Sequence, residues 1–300
     1  MLAAGLPRAH AARLGELEML HRYPALWMAA SVLFVLGLAC DGWLLACWIL
    51  RRKEGADRES LLRIPPKPWG LAELVLVTGG MILVLMTGTL FTGLLTHVVR
   101  LPEDSVTSLV LLGELSLRVF VLLGMAWFFQ RRLVDLPHAL GITATGRRRG
   151  AMFGVFAYLA ILPPLTLVFA VYAQVARLLG RQPTLQPVAE LLNTTRSGLV
   201  AVLIVLFAVV VAPLFEEVYF RGFAYPALKQ RWGPGRALAL VSALFALVHF
   251  HEPSLVPLFT LALGLGLSYE LSGSLWAPIT MHALFNMTNV ATLLYLRFHA

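Results

Sequence analysis

Long apolar runs separated by short polar links set the pattern of this chain. The runs are Ala25–Leu50, Leu74–Val99, Val106–Phe129, Ala151–Val175, Gly198–Phe215, Ala237–Phe250, Leu255–Tyr269 and Leu275–Leu296. A helix needs about 20 apolar residues to cross the hydrocarbon core of a bilayer. In lipid every backbone polar group must be paired internally, and unbroken apolar runs without alternation point to helices. The predicted fold is all-α, a polytopic integral membrane helical bundle of about eight transmembrane helices. The sixth and seventh runs are short, and the last four are crowded together, which predicts a compact bundle. Pro163-Pro164 lies inside the fourth run and predicts a kink. Residues 1–24 form an N-terminal segment before the first run. Arg8, Arg13 and Arg22 alternate there with Glu16, Glu18 and apolar residues, the pattern of a short interfacial helix. No apolar core precedes its Ala-His-Ala stretch, so it does not read as a cleavable signal peptide. Residues 25–149 carry the first spans and basic loops, and residues 150–300 form the remaining unit.

Composition agrees. Of 300 residues, 59% are hydrophobic and 13% charged, and the mean hydropathy is +0.78. Soluble domains are nearer half apolar and a quarter charged. The net charge of +8 comes from 24 Lys and Arg against 16 Asp and Glu. No nucleic-acid-binding motif accompanies it, so no nucleic acid partner is expected. The excess instead reads as a topology signal. The first–second, third–fourth and fifth–sixth links hold 15 basic residues, counting Arg221, and the opposite side holds 8. Lys and Arg favour cytoplasmic loops, so these three links are expected in the cytoplasm and both termini outside. The two cysteines, Cys40 and Cys47, are seven residues apart on one helix, about 10 Å along its axis and too far for a disulfide. They read as packed core thiols.

Ionisable residues inside spans are costly and often mark function. Most of the informative ones fall in the last hundred residues. Glu216 and Glu217 follow the fifth run, and Glu217 and Arg221 are i and i+4, placed to form an ion pair. Glu216 projects about 100° away from that pair. A carboxylate left in a desolvated place is a general acid or base. The alternative is a cap at the membrane edge. His249 ends the sixth run. His282 and Asn286, also i and i+4, share a face of the eighth. Singly, each histidine reads as an interhelical hydrogen bond. Together the groups supply a base, a second ligand for water and donors for a developing oxyanion, the equipment for hydrolysing an amide. Glu and His are also zinc ligands, whereas Asn is a poor one. Elsewhere Glu114 and Arg118 read as a structural ion pair within the third span. Asp41 reads as a helix-contact residue, and His251 and Glu252 as interfacial. Pro213 is placed to bend the fifth helix and make room for water.

Glu216-Glu217-x-x-x-Arg221, Phe245-x-x-x-His249 and His282-x-x-x-Asn286 resemble, in order, the three motifs of the CAAX-protease and bacteriocin-processing (CPBP, or Abi) family. That family includes the type II CAAX prenyl endopeptidases. The resemblance covers roughly residues 195–295 and marks residues 150–300 as a CPBP-like intramembrane protease core. It implies an eight-helix intramembrane endopeptidase, a hydrolase. Glu216 would activate water with His249, His282 and Asn286 would form the oxyanion site, and Glu217 and Arg221 would support them. Members are often labelled metalloproteases. A Glu–His pair activates water with or without a metal, so the cofactor is either a divalent ion such as zinc, on Glu216, His249 and His282, or none. The expected partners are the lipid bilayer and a protein or peptide substrate that reaches the membrane. The expected location is a multi-pass position in the cell membrane of a bacterium. The Glu216 end of the fifth run lies toward the predicted cytoplasmic links, so access is expected from there. Two readings stay beside this one: a non-catalytic scaffold or immunity-type protein of the same family, and a transporter, against which the lack of an internal repeat weighs.

Overall fold

The computed structural model describes residues 22–53, 64–99, 102–132, 134–180 and 184–299. The expected interfacial helix in residues 1–24 falls almost wholly outside them. The described chain is helical throughout, an all-α bundle. Its helices are α1 (Pro24–Lys53), α2 (Leu71–Val98), α3 (Glu103–Gln130), the short α4 (Leu136–Leu140), α5 (Ala144–Leu178), α6 (Pro187–Thr194), α7 (Gly198–Trp232), α8 (Pro234–Leu247), α9 (Leu255–Ser272) and α10 (Trp276–His299).

Among the described residues six stretches are long and apolar enough to cross a membrane, rather than eight. They are α1, α2, α3, α4 together with α5, α7, and α9 with its preceding turn. α8 is apolar but has only 14 residues. α10 has the length, but Thr280, His282, Asn286, Thr288 and Asn289 dilute its apolar character. These polar groups mostly face the interior, which is why hydropathy alone under-reads the helix. α1 and α2 bury almost nothing within the chain, as expected where lipid replaces protein around a helix.

Successive long helices alternate in direction. Gly37 of α1 abuts Leu159 and Pro163 of α5, and Trp43 meets Phe156 edge-on. Thr89 of α2 donates to Glu114 of α3. Leu238 at the start of α8 packs on Gly266 late in α9. One end of the bundle therefore carries the first–second, third–fourth and fifth–sixth links, and is called the basic end below. The other end gathers the start of α1, α6, the turn after α8 and the end of α10, where Tyr23 meets Tyr295.

α5 is one helix that contains Pro163 and Pro164. One feature differs from the sequence expectation: α7 does not stop at the glutamates. It continues to Trp232, 35 residues or about 50 Å, placing Glu216 near its middle. Two π-helical turns widen α7, at Phe207–Val211 and Val218–Ala224. Each lies just ahead of a proline, Pro213 or Pro226. Proline lacks an N–H and its ring clashes with the carbonyl four residues back, here Val209 or Gly222, both inside the π-helical turns. Widening the turn relieves that clash without ending the helix.

Toward the basic end the core is aromatic and aliphatic, with an open pocket of about 630 Å³ beside it between the start of α5 and the α9–α10 turn. Phe129, Phe220, Phe223, Tyr225, Leu265, Tyr269 and Leu275 are all buried. Trp69, from the segment ahead of α2, stacks among them and donates its indole N–H to Phe223 O at 3.1 Å. Beside it, buried Glu270 accepts from Ile64 N–H at 3.4 Å, from Tyr225 O–H at 2.6 Å and from Lys229. Half-buried Lys67 donates to Ala139 O, and burial together with nearby Lys229 pushes its amine below the usual lysine range, Glu270 partly opposing this. Gly141, at φ 67°, ends α4 where a Cβ would collide with Gly273 O, so only glycine lets this crossing close. Leu275 N–H donates to Leu140 O and Ser274 O–H to Gly141 O across it, fixing the start of α10.

Candidate active site

The mid-membrane face of α7 presents two neighbouring carboxylates with different surroundings. Glu217 is fully buried, with 0% exposure. Its Oε1 accepts from Arg221 Nη1 at 2.8 Å and from His282 Nδ1 at 2.8 Å. Arg221, 1% exposed, also donates to Ala262 O of α9 at 3.1 Å and lies 4.6 Å from the centre of the Phe245 ring. The ion pair anticipated from the i, i+4 spacing is therefore present. It is a buried tie between α7, α9 and α10 rather than a membrane-edge cap.

Glu216 faces the other way. Its side chain is partly accessible, and Oε2, itself buried, has no hydrogen-bond partner. That oxygen stands 3.9 Å from His282 Nε2. His282 thus has one ring nitrogen on Glu217 and the other turned toward Glu216. An ionised Glu217 accepts only, so Nδ1 of His282 carries the hydrogen and Nε2 is either a lone pair or a second donor.

His249 sits just past the end of α8, its Nδ1 2.7 Å from Phe245 O and its ring centre 4.8 Å from that of Phe245. The carbonyl accepts from Nδ1–H, which leaves Nε2 as a lone pair in the neutral ring. The next residue, Phe250, has φ 48° and is 94% exposed. A bulky residue rarely adopts this conformation, and here it turns the chain sharply after His249.

Asn286 lies one turn beyond His282 and donates through Nδ2 to Ala208 O at 2.7 Å. Local sequence explains this bond. In the first π-helical turn Ala212 N–H bonds Phe207 O, so the matching donor for Ala208 O would be residue 213, which is proline. Asn286 supplies the missing donor. Its amide keeps a second N–H.

Glu216, His249, His282 and Asn286 line one cavity of about 540 Å³ among α5, α6, α7, α9 and α10. The walls are otherwise mainly apolar. Glu217 and Arg221 lie behind His282, outside the cavity. Asn289 and Thr292 also line it and were not anticipated. Asn289 extends the His282–Asn286 row at i+7, a signal present in the sequence. The cavity leads away from the basic end, because α7 contributes only its first half and α10 its second. That reverses the expected direction of access, which assumed that α7 stopped at Glu216. At the mouth, α6 is held by Arg297, which donates to Leu192 O at 2.6 Å and to Thr195 O. His251 contacts Thr184 and Ser254 there, consistent with an interfacial position.

Among the described residues no three His, Cys, Asp or Glu side chains converge to hold a metal ion. Glu216, His249 and His282 share a cavity wall without forming such a cluster, so no step below passes through a metal. The Glu114–Arg118 ion pair forms, and Arg118 lies over Phe207 beside the first π-helical turn. Cys40 and Cys47 are unpaired.

Residues 198–288 match the family model described as "Type II CAAX prenyl endopeptidase Rce1-like". The matched stretch contains all six residues of the three motifs, so this part of the chain is similar to the CAAX proteases. No curated protein and no solved structure matches the chain.

Proposed function

Starting from a CAAX-protease-like stretch whose motif residues meet at one intramembrane cavity, we propose that the protein is an intramembrane endopeptidase. It hydrolyses a peptide bond in a membrane-associated protein or peptide by water activated at Glu216 and His249. The observation that carries this reading is the contrast between the two glutamates. Each leaves its Oε2 without a hydrogen-bond partner, but Glu217 is tied through Oε1 to Arg221 and His282 and lies off the cavity, whereas Glu216 lines a cavity large enough for water and a peptide, 3.9 Å from His282 Nε2.

In this mechanism Glu216 takes one proton from a water that His249 Nε2 helps to orient. The water oxygen bonds to the scissile carbonyl carbon, and the carbonyl π electrons move onto oxygen. His282, when protonated at both nitrogens, donates from Nε2 to that oxyanion, and the second N–H of Asn286 is the other candidate donor. Collapse breaks the C–N bond, and Glu216 passes its proton to the leaving amine. The products are a carboxylic acid, which keeps the second proton of the water, and an amine; proton exchange between them gives the carboxylate and the ammonium. Glu217 holds His282 in place by accepting Nδ1–H, and Arg221 compensates the buried charge of Glu217.

The catalytic cavity and the pocket at the basic end share no lining residue, so no continuous path crosses the bundle, which disfavours the transporter reading. The scaffold reading separates from the enzymatic one by experiment. Protein termini are mapped by mass spectrometry in membranes from cells making wild type or Glu216→Gln at equal level. The proposal expects termini that appear only with wild type; identical maps contradict it.

A further inference from the structure

The bundle is built in two unequal halves along the membrane normal. Between the catalytic level and the basic end, aromatic and aliphatic side chains fill the interior, with Phe245, Leu265, Tyr269, Leu275 and Met281 at 0% exposure. The Glu270 cluster, with Lys229, Tyr225 and the backbone of Ile64, closes that end with buried polar ties. On the other side of Glu216 and His282 the interior is the 540 Å³ cavity. Its wall takes α7 from Ile204 to Glu216, α9 with its preceding turn from Ser254 to Leu261, and α10 from His282 to Leu296. The wall residues that are exposed, Phe169, Thr184, Leu185, Val188 and Asn289, all lie at the end away from the basic links.

The charge count refers to the same two ends. With Arg221 assigned to the buried interior, 14 of the 24 Lys and Arg belong to the basic end and 8 to the mouth end, Arg118 being within α3. Lys and Arg are retained on the cytoplasmic side of membrane proteins. We infer that the cavity opens to the non-cytoplasmic face, so that the substrate is a polypeptide segment presented on that side of the membrane, from an exported chain or the outer part of a membrane-anchored one. The inference rests on the endopeptidase reading for the word substrate; the direction of the opening does not depend on turnover. An open pocket of about 630 Å³ also lies at the basic end, between Gly141–Phe153 and Leu271–Ser274, but none of the catalytic residues lines it, and a segment confined to the cytoplasm would have to pass the aromatic and aliphatic core to reach Glu216.

The test is cysteine labelling in intact cells that make the full chain. In a background with Cys40 and Cys47 changed to Ala, three single variants are compared: Thr184→Cys at the mouth, Ser105→Cys in the first turn of α3, and Thr145→Cys in the first turn of α5. All three positions are exposed. A membrane-impermeant maleimide is expected to label the Thr184 and Ser105 variants in intact cells. It should label the Thr145 variant at least tenfold less there, and equally with the others once the membrane is permeabilised. Ser105 covers the case in which loss of the Thr184 contact with His251 disturbs the mouth. Strong labelling of the Thr145 variant in intact cells, or protection of either of the others, overturns the inference. Adding Glu216→Gln to each variant should leave the pattern unchanged, so a failed topology and a failed mechanism give different results.

Discussion

At the residue scale the adjacent glutamates make the sharpest distinction. Glu216→Gln keeps the shape of the side chain and removes the base. It should lower the hydrolytic rate by about 10²–10⁴-fold, the usual contribution of a general base, and leave the unfolding temperature in detergent almost unchanged. Glu217→Gln should do the reverse in stability. It strands a buried arginine without its counter-charge and leaves His282 only an uncharged carbonyl oxygen to bond, and breaking a buried pair costs about 3–5 kcal/mol. Thermal unfolding followed by circular dichroism checks both. The bond from Asn286 to Ala208 O gives a second test. Asn286→Ala leaves that carbonyl unsatisfied, which costs about 1–3 kcal/mol. Pro213→Ala restores an N–H that can pair with it, so the double variant should recover part of the lost stability. A purely substrate-facing Asn286 predicts no such coupling in the double-mutant cycle. Spacing showed that Glu217 could reach Arg221 and that His282 and Asn286 share a face. It could not show that Glu217 also holds His282, 65 positions away, or that Asn286 completes a turn of α7. Those contacts exist only once α7 and α10 are packed.

At the element scale, the apolar runs fall on α1, α2, α3, α5, α7, α8, α9 and α10, because lipid on one side and protein on the other both demand unbroken apolar runs, although only six stretches are long and apolar enough to cross a membrane among the described residues. Their pattern misjudged where α7 ends. Glu216, Glu217 and Arg221 look like the close of a span when hydropathy is averaged, yet they are interior groups: Glu217 and Arg221 pair with each other and bond to α10 and α9, and Glu216 faces the cavity. It also passed over α6, whose eight residues are too few to register beside runs three times longer. The crossing of α4 with the turn between α9 and α10 is where backbone sterics rather than polarity fix the element. Gly141→Ala should therefore destabilise by more than about 1 kcal/mol, since it meets both a left-handed backbone and the Gly273 carbonyl. Gly124→Ala, in α3 with open space around it, should be neutral or stabilise by up to about 1 kcal/mol. Paired unfolding curves of the two variants distinguish these outcomes.

At the scale of the whole molecule, a half with an aromatic and aliphatic core and a hollow half meet at the level of Glu216 and His282. The first supplies the rigid base that holds Glu217, Arg221 and His282; the hollow half admits water and a peptide to Glu216 and His249. The sequence announced the groups and, through its charges, the polarity of the bundle, but the cavity is a product of packing and had no local signature. The most direct test of hydrolysis by activated water uses purified protein in detergent or lipid with an uncharged peptide library in ¹⁸O-labelled water. Wild type should generate new carboxyl termini carrying one ¹⁸O, and Glu216→Gln, folded to the same unfolding temperature, should generate about 10²-fold fewer or none. Unlabelled products, or labelled products formed equally by the Glu216→Gln protein, would contradict the account.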